Sequence, residues 1–583
     1  MSTGAATKHV APKRAVHEFT PKLFTVYAGG YSMAAFRADA IAGLTVAIIA
    51  IPLSMAIAIA SGGTPAQGLF TAIVGGVIIS ALGGSRYQIG GPAGAFIVLV
   101  ASIIAKHGYD GFLIATMMAG VMLLAVGYLR FGVYIKYIPH PVVVGFTTGI
   151  AVIIFASQIK ELFGLKLDHE PGELMHKLGA LWGARASFNV AAIAISALAL
   201  ALILGLRTWK PRWPGLLIAV VVTGALTAAL NLPIETIGSK FGAAPSSLPA
   251  PRVPDFTFSM LIDLIPAAAM IAMLGGIESL LSAVVADGMS GTRHRSNCEL
   301  VAQGYANIAS ALFGGLCATG TIARTATNIR AGAVGPLAGI FHALFVFAIL
   351  YLAAPLIAYV PLAALAALLA VVAWNMAEKR EFARLIRGDR AEAAVLLVTF
   401  GLTIFRDLSE GIAAGVTLGA IVFMHRMAEA VRVTTDADLM AETQTEAEKV
   451  GDTGDSQVVV YRIAGPFFFG AASQVAQTLK RVGRAPKYYV LDLGAVPMLD
   501  STAAHELEGF VHSAHASGAQ VYIAGIHSPV LRALLRSGFD RHQARFYHDV
   551  PSARAAIREA SQPAHAPESS AQGEDRASGN ASA

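Results

Sequence analysis

Apolar stretches alternate with short polar turns along most of this chain, and each is close to the roughly 20 residues a helix needs to cross a bilayer. A first set covers about 40–60, 66–82, 93–105, 111–129, 138–160, 188–206 and 214–230. A second covers about 260–286, 297–313, 322–332, 335–354, 361–376, 390–405 and 409–428. The pattern predicts a polytopic α-helical membrane protein of about fourteen segments, arranged as two sets of seven. It places the membrane domain at 39–432, with repeats at about 39–230 and 260–432, after an N-terminal segment of residues 1–38.

Composition sharpens this picture. The 583 residues are 55% hydrophobic and 14% charged, against roughly 25% charged in a soluble domain. A net charge of +6 would suit an acidic partner if it were gathered in one patch, but Lys and Arg are spread among short turns, so no nucleic-acid partner is expected. The turns predicted on one side carry Arg86, Arg130, Arg207, Arg293, Arg295 and the run Lys379 to Arg390. The opposite turns carry fewer, and this bias predicts that both termini are cytoplasmic. The polar start lacks a short apolar core with a cleavage site, so no cleaved signal peptide is expected. Cys298 and Cys317 show no metal-ligand or disulfide spacing, and no metal or cofactor is expected.

Two Gly-rich breaks interrupt the pattern at matching places. Ser80-Ala81-Leu82-Gly83-Gly84 precedes Gly90-Gly91-Pro92, and Ser310-Ala311-Leu312-Phe313-Gly314-Gly315 precedes Gly320-Thr321. Each echo ends the second member of its set. Seven is odd, so the two sets would run in opposite senses across the bilayer, as an inverted repeat. A short helix starting near Pro92 or Ile322 leaves its first N–H groups unpaired and its positive dipole end inside the membrane. Two such ends facing one another make an anion site.

Charge inside the apolar segments narrows the ligand. Glu278 and Arg324 lie within hydrophobic stretches, where a charge costs roughly 2.5–3.5 kcal/mol on insertion scales. Two helix ends at about half a charge each, with Arg324, give about +2, and an ionised Glu278 reduces this to about +1. Protonated Glu278 would restore the larger value and favour a dianion, so a proton is expected to travel with the substrate. The alternative is that Glu278 and Arg324 form a structural ion pair. Ser54, after Pro52, and Ser282, one turn beyond Glu278, are weaker candidates, because small hydroxyl residues also serve helix packing. His140 and His342 are expected to be interfacial or structural.

After about residue 433 the pattern changes. Residues 433–456 are acidic and read as a linker. From Gln457 strand and helix patterns alternate: QVVVYRI, a helix at about 471–482, YYVLDLG, helix 501–516, VYIAG at 521–525, a helix at about 528–537 and a last one near 551–560. This order predicts a small α/β domain at 457–560. The Ala/Ser/Gly-rich tail at 561–583 is expected to be disordered.

These residues resemble the sulfate permease (SulP) family of anion transporters over nearly the whole chain. The resemblance is carried by ESLLSAVVADGMSG at 278–291, ELVAQGYANIASALFGG at 299–315 and TGTIARTATNIRAGA at 319–333, with IPHPVVVGFTTGI at 138–150. VLDLGAVPMLDST at 490–502 is similar to the recognisable segment of a STAS domain. The resemblance implies fourteen helices in two inverted seven-helix repeats, a core that carries substrate against a gate, a homodimer, and an inner (plasma) membrane location. It also implies a substrate between the starts of the third and tenth segments. That points to Gly91, Pro92, Ala93, Gly94 and Phe96 on one side, and to Gly320, Thr321 and Arg324 on the other. Ser54 joins them from the first segment, and Glu278 and Ser282 from the eighth.

Sodium-coupled members tend to place an aspartate and hydroxyl residues here, whereas Glu278, Ser282 and Ile322 lean toward proton coupling. Bacterial members that carry C4-dicarboxylates (succinate, fumarate) or sulfate look most similar. A sodium-coupled bicarbonate transporter or an anion exchanger remains an alternative. Asp500-Ser501 falls where related soluble domains are phosphorylated, although Ser501 reads equally as a helix N-cap. The implied role of this domain is assembly or regulation, through a cytoplasmic protein partner. A channel or voltage-responsive protein on the same scaffold is the competing class. An enzyme is disfavoured, since no nucleophile/base pair, Walker loop or dinucleotide fingerprint is present.

Overall fold

The computed structural model describes residues 18–133, 138–167, 171, 174–210, 213–242, 247–406, 408–435, 457–479 and 486–561. The N-terminal 17 residues, most of the predicted acidic linker and nearly all of the predicted disordered tail lie outside them. The chain divides into two compact units, 1–419 and 420–583.

Every one of the predicted apolar stretches is helical. In chain order the helices are α1 (Met33–Ala60), α2 (Pro65–Leu82), α3 (Gly94–Tyr128), α4 (His140–Phe163), α5 (Val190–Trp209), α6 (Gly215–Ala229) and α7 (Phe258–Ser290). They continue with α8 (Ser296–Leu312), α9 (Ile322–Arg330), α10 (Leu337–Ile357), α11 (Leu362–Met376), α12 (Arg390–Phe405) and α13 (Leu408–Glu429). Two two-residue strands lie between them, β1 (Gly90–Gly91) before α3 and β2 (Thr319–Gly320) before α9. Among the described residues nine helical runs are long and apolar enough to cross a membrane. The third and fourth predicted segments are one such run, α3, bent at Gly108, whose φ of 72° takes the chain out of helix geometry. Residues 71–75 of α2 form a π-helical turn, and there Thr71 Oγ1 accepts from Leu316 N at 2.6 Å.

The packing has the symmetry of an inverted repeat. Helix α10 packs on α1, and the equivalent pairing of α3 on α7 occurs in the other half. Likewise α12 packs on α4 while α5 packs on α11. The strands that precede the short helices, β1 and β2, pair antiparallel, with Gly90 opposite Gly320 and Gly91 opposite Thr319. Equivalent elements related by a two-fold in the membrane plane must meet in that sense.

The second unit holds a five-stranded sheet in the order β3 (Arg432–Thr435), β4 (Val458–Ala464), β5 (Tyr488–Ala495), β6 (Gln520–Ala524) and β7 (Arg545–Tyr547). All neighbours are parallel except β3 and β4. Residues 433–435, read as linker, are therefore strand, because β3 supplies the partner for the exposed edge of β4. Helices α14 (Phe469–Leu479), α15 (Ser501–Ala516), α16 (Ser528–Arg536) and α17 (Val550–Ser561) connect or follow the strands. Tyr489, Val490 and Leu491 are buried in succession along β5, as a strand covered on both faces requires.

Candidate functional site

The site begins with the crossing of β1 and β2. Two adjacent short strands have few hydrogen bonds of their own, and buried side chains from neighbouring helices fasten them. Gly320 N donates to Ser279 Oγ at 3.0 Å, Thr319 Oγ1 donates to Gly275 O at 3.1 Å, and Ile89 N donates to Thr325 Oγ1 at 3.1 Å. Asn307 both donates to Ala318 O and accepts from Ala318 N, at 2.8 and 2.9 Å. Gln88 Nε2 donates to Ser279 O at 3.2 Å. A Cβ on Gly320 would stand 1.4 Å from that same Gln88 nitrogen, which is why only glycine fits there.

Each strand then feeds a helix start. The residues that open these helices, Ala93 before α3 and Thr321 before α9, are extended, and neither side chain caps its helix. The first N–H groups of both helices therefore face inward without side-chain caps, and both positive dipole ends point at the same region. A cavity of about 550 Å³ occupies that region, lined by Pro92, Ala93, Gly94, Thr321, Ile322 and Arg324. Leu53 of α1 and Glu278 of α7 line it too, and across it stand Phe146 and Thr147 of α4 and Asn375 and Met376 of α11.

Arg324 is 2% exposed. Its Nη2 donates to Ser54 Oγ at 3.1 Å and to Pro92 O at 3.2 Å, while Nε and Nη1 have no partner. Glu278 Oε2 is also buried without a partner. The two residues line one cavity but form no ion pair with each other among the described residues, so the structural-pair alternative does not hold. A buried guanidinium whose Nε and Nη1 donors are unused is costly unless something else takes them. An oxygen-bearing anion held beside Arg324 in this cavity is the kind of group that would take them.

The other predicted residues separate into two groups. Gly91 lies behind the cavity, where a Cβ would stand 2.3 Å from Arg324 Nη1, and Gly320 belongs to β2. Ser54 reaches the cavity only through Arg324. Ser282 is buried and donates to Thr325 Oγ1 at 3.1 Å, so it helps hold the strand crossing. Phe96 is buried against Gly275 rather than on the cavity wall. His342 is buried, and neither ring nitrogen has a partner; His140 is exposed at the start of α4.

In the second unit the cap of α15 is Asp500, not Ser501: Asp500 Oδ1 accepts from Ala503 N at 2.9 Å and Oδ2 from Phe469 N at 2.9 Å. The carboxylate has two oxygens and takes a different helix's N–H with each. Ser501 is left exposed in the first helical turn.

Sequence reasoning missed the fasteners and one buried carboxylate. Glu299, fully buried, accepts from Gly84 N at 2.9 Å and Ser85 N at 3.0 Å, and so pins the turn that leads toward β1. A signal was present: Glu299, Gln303 and Asn307 are spaced by four in an otherwise apolar helix, which puts a polar stripe on one face.

Inverted helical repeats, two uncapped helix starts and a buried arginine at their junction define a membrane carrier with a small α/β appendage. The chain belongs to the sulfate permease family, whose model matches residues 36–399, and residues 447–553 match the STAS domain. YvdB, a candidate sulfate transporter of Bacillus subtilis (strain 168), is 41% identical over 512 residues, 87% of this chain and 95% of that one. The bicarbonate transporter BicA of a Synechocystis strain is 31% identical over 517 residues, covering 85% of this chain and 90% of BicA. Among solved structures, murine Slc26a9, an anion transporter in an inward-facing state, superposes with a TM-score of 0.83 at 18% identity, covering 95% of this chain and 96% of that one. At that identity the match speaks for the fold alone. The polytopic helical transporter fold with a C-terminal STAS domain is thereby shown.

Proposed function

We propose that this protein is a secondary transporter that carries sulfate or a C4-dicarboxylate such as succinate or fumarate, in symport with a proton. One observation carries the reading: Arg324, buried where two helix starts meet, lines the cavity with two guanidinium nitrogens left without a partner. Two dipole ends and one guanidinium favour an anion, and with Glu278 protonated they favour a dianion. Glu278 supports the coupling because it shares the cavity without being neutralised by Arg324 in a direct pair. Movement of α1–α3 and α7–α10 as a core against α4–α6 and α11–α13 as a gate would present this site to either side in turn. The same reading puts both termini in the cytoplasm, two copies in a plasma-membrane homodimer, and the STAS domain in assembly or regulation through a cytoplasmic partner.

A second reading is sodium-coupled bicarbonate transport, supported by the likeness to BicA. Uptake by protein in liposomes, measured for succinate, fumarate, sulfate and bicarbonate under imposed proton or sodium gradients, tests both. The proposal expects a dianion to accumulate on a proton gradient. Accumulation of bicarbonate driven only by sodium overturns it in favour of the second reading. Saturation and accumulation against a gradient separate a carrier from a channel on the same scaffold.

A further inference from the structure

The cavity's gate wall runs directly into a basic amphipathic helix. Asn375, Met376 and Glu378 line the cavity, and Glu378 is exposed, which puts the mouth at this edge of the membrane unit. The next element is the nine-residue helix Lys379–Arg387, KREFARLIR. Its spacing gathers Phe382, Leu385 and Ile386 on one face and Arg380, Arg384 and Arg387, at i, i+4 and i+7, on another. The Phe382 ring meets the Phe400 ring of α12 at 5.0 Å between centroids, so the apolar face is seated on the bundle while the arginine stripe stays exposed. Arg384 pairs with Glu381 at 3.2 Å; Arg380 and Arg387 have no ion-pair partner among the described residues.

A second feature lies at the same level. Arg207 Nη1, from the end of α5, donates to Asn375 Oδ1 at 3.1 Å, which ties the α5–α6 turn to the same edge. That turn presents Trp209, 86% exposed, and Trp213, while Trp374, 62% exposed, lies under the Lys379 ammonium at 4.4 Å. Exposed indoles flanked by cations are the signature of the bilayer interface. A small anion in water would account for the arginines but would leave three indoles and Ile386 in contact with water. An anionic phospholipid accounts for both, with phosphate on the guanidinium stripe and glycerol and acyl regions against the rings.

We propose that this edge binds anionic phospholipid headgroups through Arg380, Arg384 and Arg387, and that the bound lipid steadies the cavity-lining end of the gate. The consequence for transport rests on the anion-carrier reading; the lipid binding does not.

The test uses full-length protein in vesicles of phosphatidylcholine, with or without about a third phosphatidylglycerol, and the triple variant R380Q/R384Q/R387Q. Brominated lipids quench nearby tryptophans, so in a Trp182→Phe background, applied to the wild type and the triple variant alike, the remaining Trp209, Trp213 and Trp374 report contact directly. The expected result is at least twofold stronger quenching by brominated phosphatidylglycerol than by brominated phosphatidylcholine at equal content, and equal quenching in the triple variant. Equal quenching in the wild type, or a preference that the triple variant keeps, overturns the proposal. Initial uptake is expected to rise severalfold with phosphatidylglycerol in the wild type and to stay flat in the variant. A lipid preference without that rise overturns the link to the gate. Absence of uptake in every lipid mixture counts against the transport reading alone.

Discussion

Replacing Arg324 with methionine keeps most of the side-chain volume and removes the charge, so it isolates the electrostatic contribution of the guanidinium. The residue is 2% exposed and holds Ser54 Oγ and Pro92 O with one nitrogen, leaving Nε and Nη1 without a partner. An anion at about 4 Å from that charge gains about 4 kcal/mol at an effective dielectric near 20. At about 1.4 kcal/mol per tenfold, this is close to a thousandfold in affinity for each unit of ligand charge. The two helix starts remain, each worth about half a charge, so weak binding should survive. In proteoliposomes the Michaelis constant for uptake should rise by at least a hundredfold, with protein recovered in the membrane at wild-type levels. Arg324→Lys should fall between the two, because an ammonium keeps the charge without the fork. A methionine variant whose Michaelis constant stays within threefold of wild type would refute the argument that this charge holds the substrate.

Other outcomes follow from neighbouring residues. Glu278→Gln mimics the protonated carboxyl, so uptake that otherwise falls as pH rises, by up to about tenfold per unit for one coupled proton, should become flat between pH 5 and 8; a variant with an unchanged pH profile would remove Glu278 from the coupling. Gly320→Ala should abolish uptake because its Cβ would stand 1.4 Å from Gln88 Nε2. The double change Gly320→Ala with Gln88→Ala should recover part of it, and no recovery in a well-folded double variant would mean the clash is not the cause. Asp500→Ala should cost the second unit about 1 kcal/mol and lower its melting temperature by several degrees, whereas Ser501→Ala should be nearly silent, both read by thermal unfolding.

How much of this was legible in the sequence depended on whether the signal was local. The helices, both breaks and the α/β order of the second unit follow from periodicity and glycine. Arg324 and Glu278 stood out because charge in an apolar run is rare. Gln88, Ser279 and Thr325 did not, since their role lies in pairing with residues far along the chain, as in the bond from Gln88 to Ser279. The helices Leu174–Gly183 and Lys379–Arg387 are too short to show a membrane span and leave no comparable signal. Asp500 and Ser501 are both good caps in sequence, and only the bond from Ala503 N to Asp500 Oδ1 decides between them.

The two repeats share a scaffold but not its chemistry, and that asymmetry can be tested. A two-fold that exchanges β1 with β2 carries Arg324 into Gly94–Phe96 and Glu278 to the neighbourhood of Ile49, where no charge stands. One repeat thus supplies a helix start and apolar wall, and the other supplies a helix start, the cation and the carboxylate. Ala95 is buried and lines the same cavity as Arg324, from the opposite helix start. If the site needs a guanidinium at the junction rather than on one particular helix, Ala95→Arg should offset part of the loss in an Arg324→Ala background, which also vacates the necessary volume. The double variant should bring the Michaelis constant at least tenfold below that of Arg324→Ala alone. A double variant that reaches the membrane folded yet binds no better than Arg324→Ala would show that the direction of the guanidinium, fixed by Ser54 and Pro92, matters more than its charge.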